Sequence, residues 1–283
     1  MIKHILFPYD FSPQGQQVAH FVGAFARRFE ARVTLLGVVP PIFDVSQTAL
    51  YVYDGETTED WKRALKTRLD GVELEDLDGV KVERVADAGD PAYRITEFAH
   101  DRGVDLIMMP THGLGLFRNL LVGSVTAKVL HDAKCPVWTA AHAETQRVRD
   151  LPKSILCALD GTVENPSLLR WAASLATRLG ASLRLLHVVP SVTDWPSLES
   201  ERALQDQFRE AARARIEAIQ ATAGVDAPLR VEVGEVVAGV SEEANQDADL
   251  LLIGRGTLSS AMGRLRTHAF GIIQRSPCPV ISV

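Results

Sequence analysis

The sequence predicts an α/β protein built as two tandem domains, each a five-stranded parallel sheet with helices on both faces. Two observations predict it. The chain is written twice, and within each copy short apolar runs alternate with stretches of helical periodicity. HILFPYDFS near the start matches SILCALDGT at Ser154 to Thr162, setting Asp10 against Asp160. TLLGVVP at Thr34 to Pro40 matches RLLHVVP at Arg184 to Pro190, and both matches keep an offset of 150 residues. Near the two ends KCPVWT at Lys134 matches PCPVIS at Pro277 with an offset of 143, so the repeat shortens in its middle, where loops and a variable helix belong. The predicted domains are residues 1–141 and 154–283, joined by a polar, proline-containing linker over 142–153.

The elements of the first copy follow in order. Ile5 to Tyr9 is an apolar run of strand length. Ser12-Pro13 is a helix-start signal, a hydroxyl cap followed by proline in the first turn. Val18, Phe21, Val22, Phe25 and Phe29 then form one helical face. The second copy repeats that face as Leu168, Trp171, Ala172, Leu175 and Leu179. Arg32 to Val39 is the second strand, and Trp61, Leu65, Leu69 and Val72 mark the second helix. Val80 to Ala86 is the third strand. Asp90-Pro91 opens a third helix that Gly103 ends. Val104 to Met109, Ser124 to Ala133 and Pro136 to Ala140 complete the order as strand, helix and strand.

A chain of 283 residues suits two domains. Its net charge of −6 argues against nonspecific nucleic-acid binding and against a basic membrane-surface role. No apolar run reaches membrane-span length. MIKHILFPYDFS lacks a signal-peptide core, so a cytoplasmic location is expected. Three cysteines, Cys135, Cys157 and Cys278, stand far apart, which argues against a disulfide framework or a zinc site and for small buried side chains.

In such sheets ligands bind beyond the carboxyl ends of the strands. Three segments meet that description. Asp10 ends the first strand; its carboxylate can accept from a ribose hydroxyl or an adenine amine, or simply form an Asx turn. Val38 can read an adenine edge through its backbone amide and carbonyl, or be an ordinary strand residue. After Met109 comes PTHGLGLFRNLLVGSVT, with Gly113, nine residues, then Gly123-Ser124. Glycines let backbone amides approach an anion, and a helix start supplies unpaired donors, here Ser124, Val125 and Thr126. The plainer alternative is a glycine-punctuated turn with Ser124 as a cap. No lysine precedes Ser124, so positive charge must come from a metal or from backbone dipoles. No catalytic set or metal-ligand spacing stands out, and the chain is not expected to be an efficient enzyme.

PYDFS at Pro8, LLGVV at Leu35, DLIMMPTHG at Asp105, GSVTAKVL at Gly123 and CPV at Cys135 and Cys278 give the chain its resemblance to a tandem universal stress protein over nearly its full length. The resemblance implies a Rossmann-like fold of the adenine nucleotide alpha hydrolase type. One branch of that family binds ATP through G-x2-G-x9-G-[S/T], which maps onto Gly113, Gly123 and Ser124, with Asp10 and the Val38 backbone at the nucleoside contacts. The implied ligand is ATP or ADP with magnesium, bound in domain 1, in a protein acting as a nucleotide-dependent regulator or scaffold with a protein partner. The resemblance also implies that the domains pack through their final strands as a pseudo-dimer, and that two chains associate.

Two departures bear on this. Pro110 stands where the motif's first glycine belongs, removing one N–H. In the second copy Gly256 is followed, after nine residues, by Arg266-Thr267, so domain 2 is not expected to bind ATP in the family manner. Arg264, Arg266 and His268 form either a different anion site or a solvated basic face. A scaffold without nucleotide, a slow ATPase and a transferase acting at the α-phosphate are the competing readings.

Overall fold

A computed structural model describes residues 2–41, 57–111, 122–140, 151–162, 165–191, 198–255 and 264–283, without the side chains of 198–203 and 264–267. The chain divides into two compact units, Met1–Thr139 and Ala140–Val283. Most of the expected linker lies outside the described residues.

The first unit runs β1 (His4–Pro8), α1 (Pro13–Phe29), β2 (Arg32–Val39), α2 (Thr58–Asp70), β3 (Val82–Ala88), α3 (Pro91–Asp101), β4 (Leu106–Pro110), α4 (Ser124–Asp132) and β5 (Val137–Ala140), with a short 3-10 turn at Glu75–Leu77. Its strands lie in the order β3-β2-β1-β4-β5, and β1 pairs in parallel with both β2 and β4. The order therefore reverses between β1 and β4, and a crevice opens at the carboxyl ends of that pair. Local chemistry sets the helix starts. Ser12 Oγ accepts the Gly15 amide at 3.0 Å, with Pro13 in the first turn of α1. Thr57 and Asp60 form a reciprocal capping box on α2, and Asp90 Oδ1 accepts the Tyr93 amide at 3.0 Å on α3. The predicted apolar face of α1 is buried throughout: Val18, Phe21, Val22, Phe25 and Phe29 are all core residues. Gly103 ends the segment after α3 at φ +59. The third and fourth strands each begin two residues later than the apolar pattern suggested.

The second unit repeats the plan as β6 (Ser154–Ala158), α5 (Asn165–Leu179), β7 (Ser182–Pro190), α6 (Leu198–Ala223), β8 (Leu229–Gly234), α7 (Val236–Asp247), β9 (Leu250–Ile253), α8 (Arg264–Arg275) and β10 (Val280–Ser282). The order β8-β7-β6-β9-β10 places its reversal between β6 and β9. The variable helix is α6, at 26 residues against 13 in α2. Glu243, buried on α7, gathers Arg184 and Arg230 at 2.8 Å each, and so ties α7 to β7 and β8. Cys157 and Cys278 are buried, and burial pushes their thiols up to about 12 and about 11. At neutral pH they are protonated, small apolar side chains, as expected. No helix among the described residues is long and apolar enough to cross a membrane.

Candidate functional site

The carboxyl rim of the first unit is built by three chain segments. The first is the turn after β1. Asp10 Oδ1 accepts the Ser12 amide at 3.0 Å, an Asx turn. The turn holds Phe11 at φ 63, a left-handed value that costs a non-glycine residue about 1 kcal/mol. Two contacts offset that cost: the Tyr9 ring meets Phe11 edge-on at 5.1 Å, and the Arg68 guanidinium lies 3.8 Å above the Phe11 ring. Arg68, on α2, thus brings positive charge onto the residue that follows Asp10.

The second segment is the end of β2. In a parallel ladder the N–H and C=O of one residue point to the same neighbour, and alternate residues point to opposite neighbours. Leu36 C=O accepts the Tyr9 amide at 2.9 Å, so Leu36 faces β1. Val38, two residues on, faces the same side but lies past the end of β1, which stops at Pro8 opposite Leu36. Its amide and carbonyl are therefore presented to the rim above the Asp10 turn.

The third segment is the start of α4. Gly123, the N-cap residue, has φ −63 and ψ 150, and no side chain among the described residues caps the helix. The Gly123 amide donates to Thr111 C=O at 2.7 Å, and its carbonyl accepts from Ala127 at 2.8 Å. The amides of Ser124, Val125 and Thr126 are first-turn donors without intrahelical partners. Helices α1, α2, α3 and α7 each have a side chain over these donors, whereas α4 has none. The Ser124 side chain is exposed, while Thr126 is buried and its hydroxyl donates to Pro110 C=O at 3.1 Å. Thr126 can therefore offer a ligand only its amide. Pro110 closes β4 and keeps its carbonyl engaged by Thr126. Lys128 bonds Asp90 at 3.1 Å and ties the start of α3 to α4. The Tyr93 amide, and then Lys128, hold the Asp90 carboxyl below the usual range.

Asp10, Val38, Gly123, Ser124, Val125 and Thr126 thus all lie on the carboxyl side of the sheet, around the reversal between β1 and β4. Gly113 lies outside the described residues, as do His112 and Gly256. Phe11 and Arg68 were missed by the sequence reading. One signal was visible: Phe11 aligns with Gly161, which has φ +77, and glycine in one copy marks a left-handed position in both.

The second unit keeps the turn and changes the rest. Asp160 Oδ1 accepts the Thr162 amide at 2.9 Å and Asn165 Nδ2 at 2.8 Å. The Val188 backbone faces the same side as that of Val38, past the end of β6, because Leu186 C=O accepts the Leu159 amide at 2.8 Å. Helix α8 begins at Arg264, earlier in the repeat register than α4, so Arg266 is already helical where Gly123 is a cap. The amides that follow Arg266 therefore fall within the helical ladder, and no equivalent amide cradle forms among the described residues. Gly37 of β2, against which Leu65 and Leu69 of α2 pack closely, is replaced by His187. A cavity of about 290 Å³ opens at the rim of this unit.

A model of the universal stress protein family matches residues 1–140 and again 152–283. The chain belongs to the universal stress protein family. Each of its two family domains is similar in extent to single-domain members. Universal stress protein MJ0577 of Methanocaldococcus jannaschii is 30% identical over 152 residues, a match covering 48% of this chain and 93% of the relative. A universal stress protein of Thermus aquaticus is 34% identical over 143 residues, covering 48% of this chain and 97% of the relative. A solved universal stress protein structure from Archaeoglobus fulgidus superposes over 99% of this chain and 95% of its own, with a TM-score of 0.66 and 22% identity. That likeness extends the tandem fold to both halves of this universal stress protein.

Proposed function

We propose that this universal stress protein binds ATP or ADP in its first domain, and that the bound nucleotide regulates its conformation or choice of protein partner in a stress response. The observation that carries the reading is the uncapped start of α4. Three amides point from a glycine-capped helix end onto the same rim as Asp10 and the Val38 backbone. A polyphosphate suits the amides and the positive end of the helix dipole. The Val38 amide and carbonyl suit an adenine edge, and the Asp10 carboxylate suits ribose hydroxyls. No group of three metal-binding side chains stands together among the described residues. Magnesium fits this site as a companion of the phosphates, keeping most of its water and taking at most one carboxylate from the chain.

Pro110 supports a second reading, a scaffold that binds no nucleotide, because it removes an N–H from the loop that should wrap the phosphates. A thermal melt separates the two. ATP with magnesium at about 100 times its dissociation constant should stabilise the chain by roughly 2.7 kcal/mol. Absence of any shift at millimolar ATP supports the scaffold. Hydrolysis of labelled ATP well above background is the outcome that favours an enzyme.

A further inference from the structure

The cavity of the second unit is a different kind of site from the rim of the first. It lies at the reversal between β6 and β9, under α7 and α8, and its walls are aliphatic: Leu159, Leu186, Val188, Val240, Ile253 and Ile272. Polar side chains are confined to Asp160, His187 and His268. Asp160 is engaged by its own turn. His187 Nδ1 lies 2.7 Å from Leu159 C=O, which can only accept, so Nδ1 carries a proton and Nε2 is the ring nitrogen left to accept from a ligand. No residue among those described bonds that nitrogen. A dry aliphatic cavity of about 150 Å³ holds one benzene ring. At about 290 Å³ this one has room for two fused rings. Among the described residues no amide cradle awaits a phosphorylated ligand here, and a nucleoside would set most of its polar edges against aliphatic walls, with the Asp160 turn and the Val188 backbone to meet the rest. Burying such groups unpaired is costly.

We propose that the second domain is a binding site for a small, uncharged, fused-ring aromatic molecule carrying one N–H or O–H donor, which His187 Nε2 accepts. The aliphatic walls supply affinity by removing the rings from water, and the imidazole fixes their orientation. The site is separate from the first-domain cradle and stands whether or not that cradle binds nucleotide.

The test uses the full chain with indole, N-methylindole and adenosine as probes, followed by calorimetry. Indole is expected to bind once per chain and more tightly than adenosine. N-methylindole keeps the shape and loses the donor, so it should bind about threefold to tenfold more weakly, as one lost hydrogen bond implies. His187→Phe should abolish that difference. Val240→Trp and Ala269→Phe each fill the cavity, and either one, shown folded by circular dichroism, should abolish indole binding. The proposal is overturned if a folded, cavity-filled variant binds indole as well as the parent chain. It is overturned equally if adenosine binds more tightly than indole, or if indole and its N-methyl derivative do not differ in the parent chain.

Discussion

Gly123→Asp tests the nucleotide reading where stability and binding are expected to move in opposite directions. Gly123 sits at φ −63 and ψ 150, an extended conformation open to any residue, so the substitution adds no backbone strain. Aspartate is a better N-cap than glycine by a few tenths of a kcal/mol, because its carboxylate accepts first-turn amides. The same carboxylate occupies the donors assigned to the phosphates and sets a negative charge against them. At about 5 Å each unit of phosphate charge meets roughly 1 kcal/mol of repulsion in water and roughly 3 kcal/mol at an effective dielectric of 20. The expected result is a nucleotide-free melting temperature equal to or above that of the parent chain, with ATP affinity at least about tenfold weaker. Gly123→Asn, which caps without charge, should fall between the two. Affinities are read by calorimetry with magnesium present and melts by scanning calorimetry. A folded Gly123→Asp variant that binds ATP within twofold of the parent refutes the cradle.

The remaining predictions concern the scaffold around the site. Backbone amides cap α3 through Asp90 and α7 through Glu235, and both carboxyls are held below their usual range. The unfolded chain takes up these protons first, so the stabilisation is complete above about pH 5 and is lost as pH falls through the folded-state values. Denaturant melts of Asp90→Ala should show a loss of about 1 kcal/mol at pH 7 that shrinks toward pH 3. Gly23→Ala puts a methyl carbon 1.9 Å from Asp76 C=O, so α1 must move away from the 3-10 turn. A loss of about 1–3 kcal/mol is expected, and an unchanged melt contradicts the close approach. With thiols at about 12 and about 11, Cys157 and Cys278 are overwhelmingly protonated at pH 8. Iodoacetamide should therefore modify the native chain at most once, at Cys135, and three times in denaturant, as counted by intact mass.

The order of strands and helices was legible because duplication repeats the signal. A stretch such as LLGVV is ambiguous alone, but LLHVV at the same point of a second copy makes a shared strand the simplest reading. Helix starts were legible where local chemistry alone determines them, as at Ser12-Pro13 and Asp90-Pro91. Strand bounds were less so: Val80 and Val104 are apolar in sequence, but pairing of β3 begins at Val82 opposite Val33 and that of β4 at Leu106 opposite Ile5. Packing decides those edges, not composition. Gly23 is a lone glycine in an apolar helix, and nothing near it in sequence announces that Asp76 passes overhead. The change from Gly37 to His187 could be read from the alignment of the two copies. That the imidazole turns onto Leu159 depends on the carbonyl direction at the end of β6, which only the folded backbone fixes.

The two copies also separate what the fold requires from what a ligand selects. Both have an aspartate that closes the turn after the first strand, both have a left-handed residue next to it, and both bring an arginine from the following long helix against that residue. Arg68 stacks on Phe11, and Arg215 lies within 3.4 Å of where a Gly161 side chain would begin. Features kept in two sites of different character serve the rim itself. Asp10 is thus explained by its turn whether or not ribose touches it, and its presence alone says little about nucleotide. The discriminating positions are those where the copies differ: Gly37 against His187, and the glycine cap of α4 against a helix that already includes Arg266. In the first domain Leu65 and Leu69 close over Gly37, and the glycine cap of α4 leaves its first-turn amides without a side-chain cap among the described residues. In the second, one choice adds an imidazole and the other withdraws the amides into helix, leaving an aliphatic cavity. The difference in ligand chemistry proposed for the two domains therefore rests on two positions of a rim whose turn after the first strand is common to both.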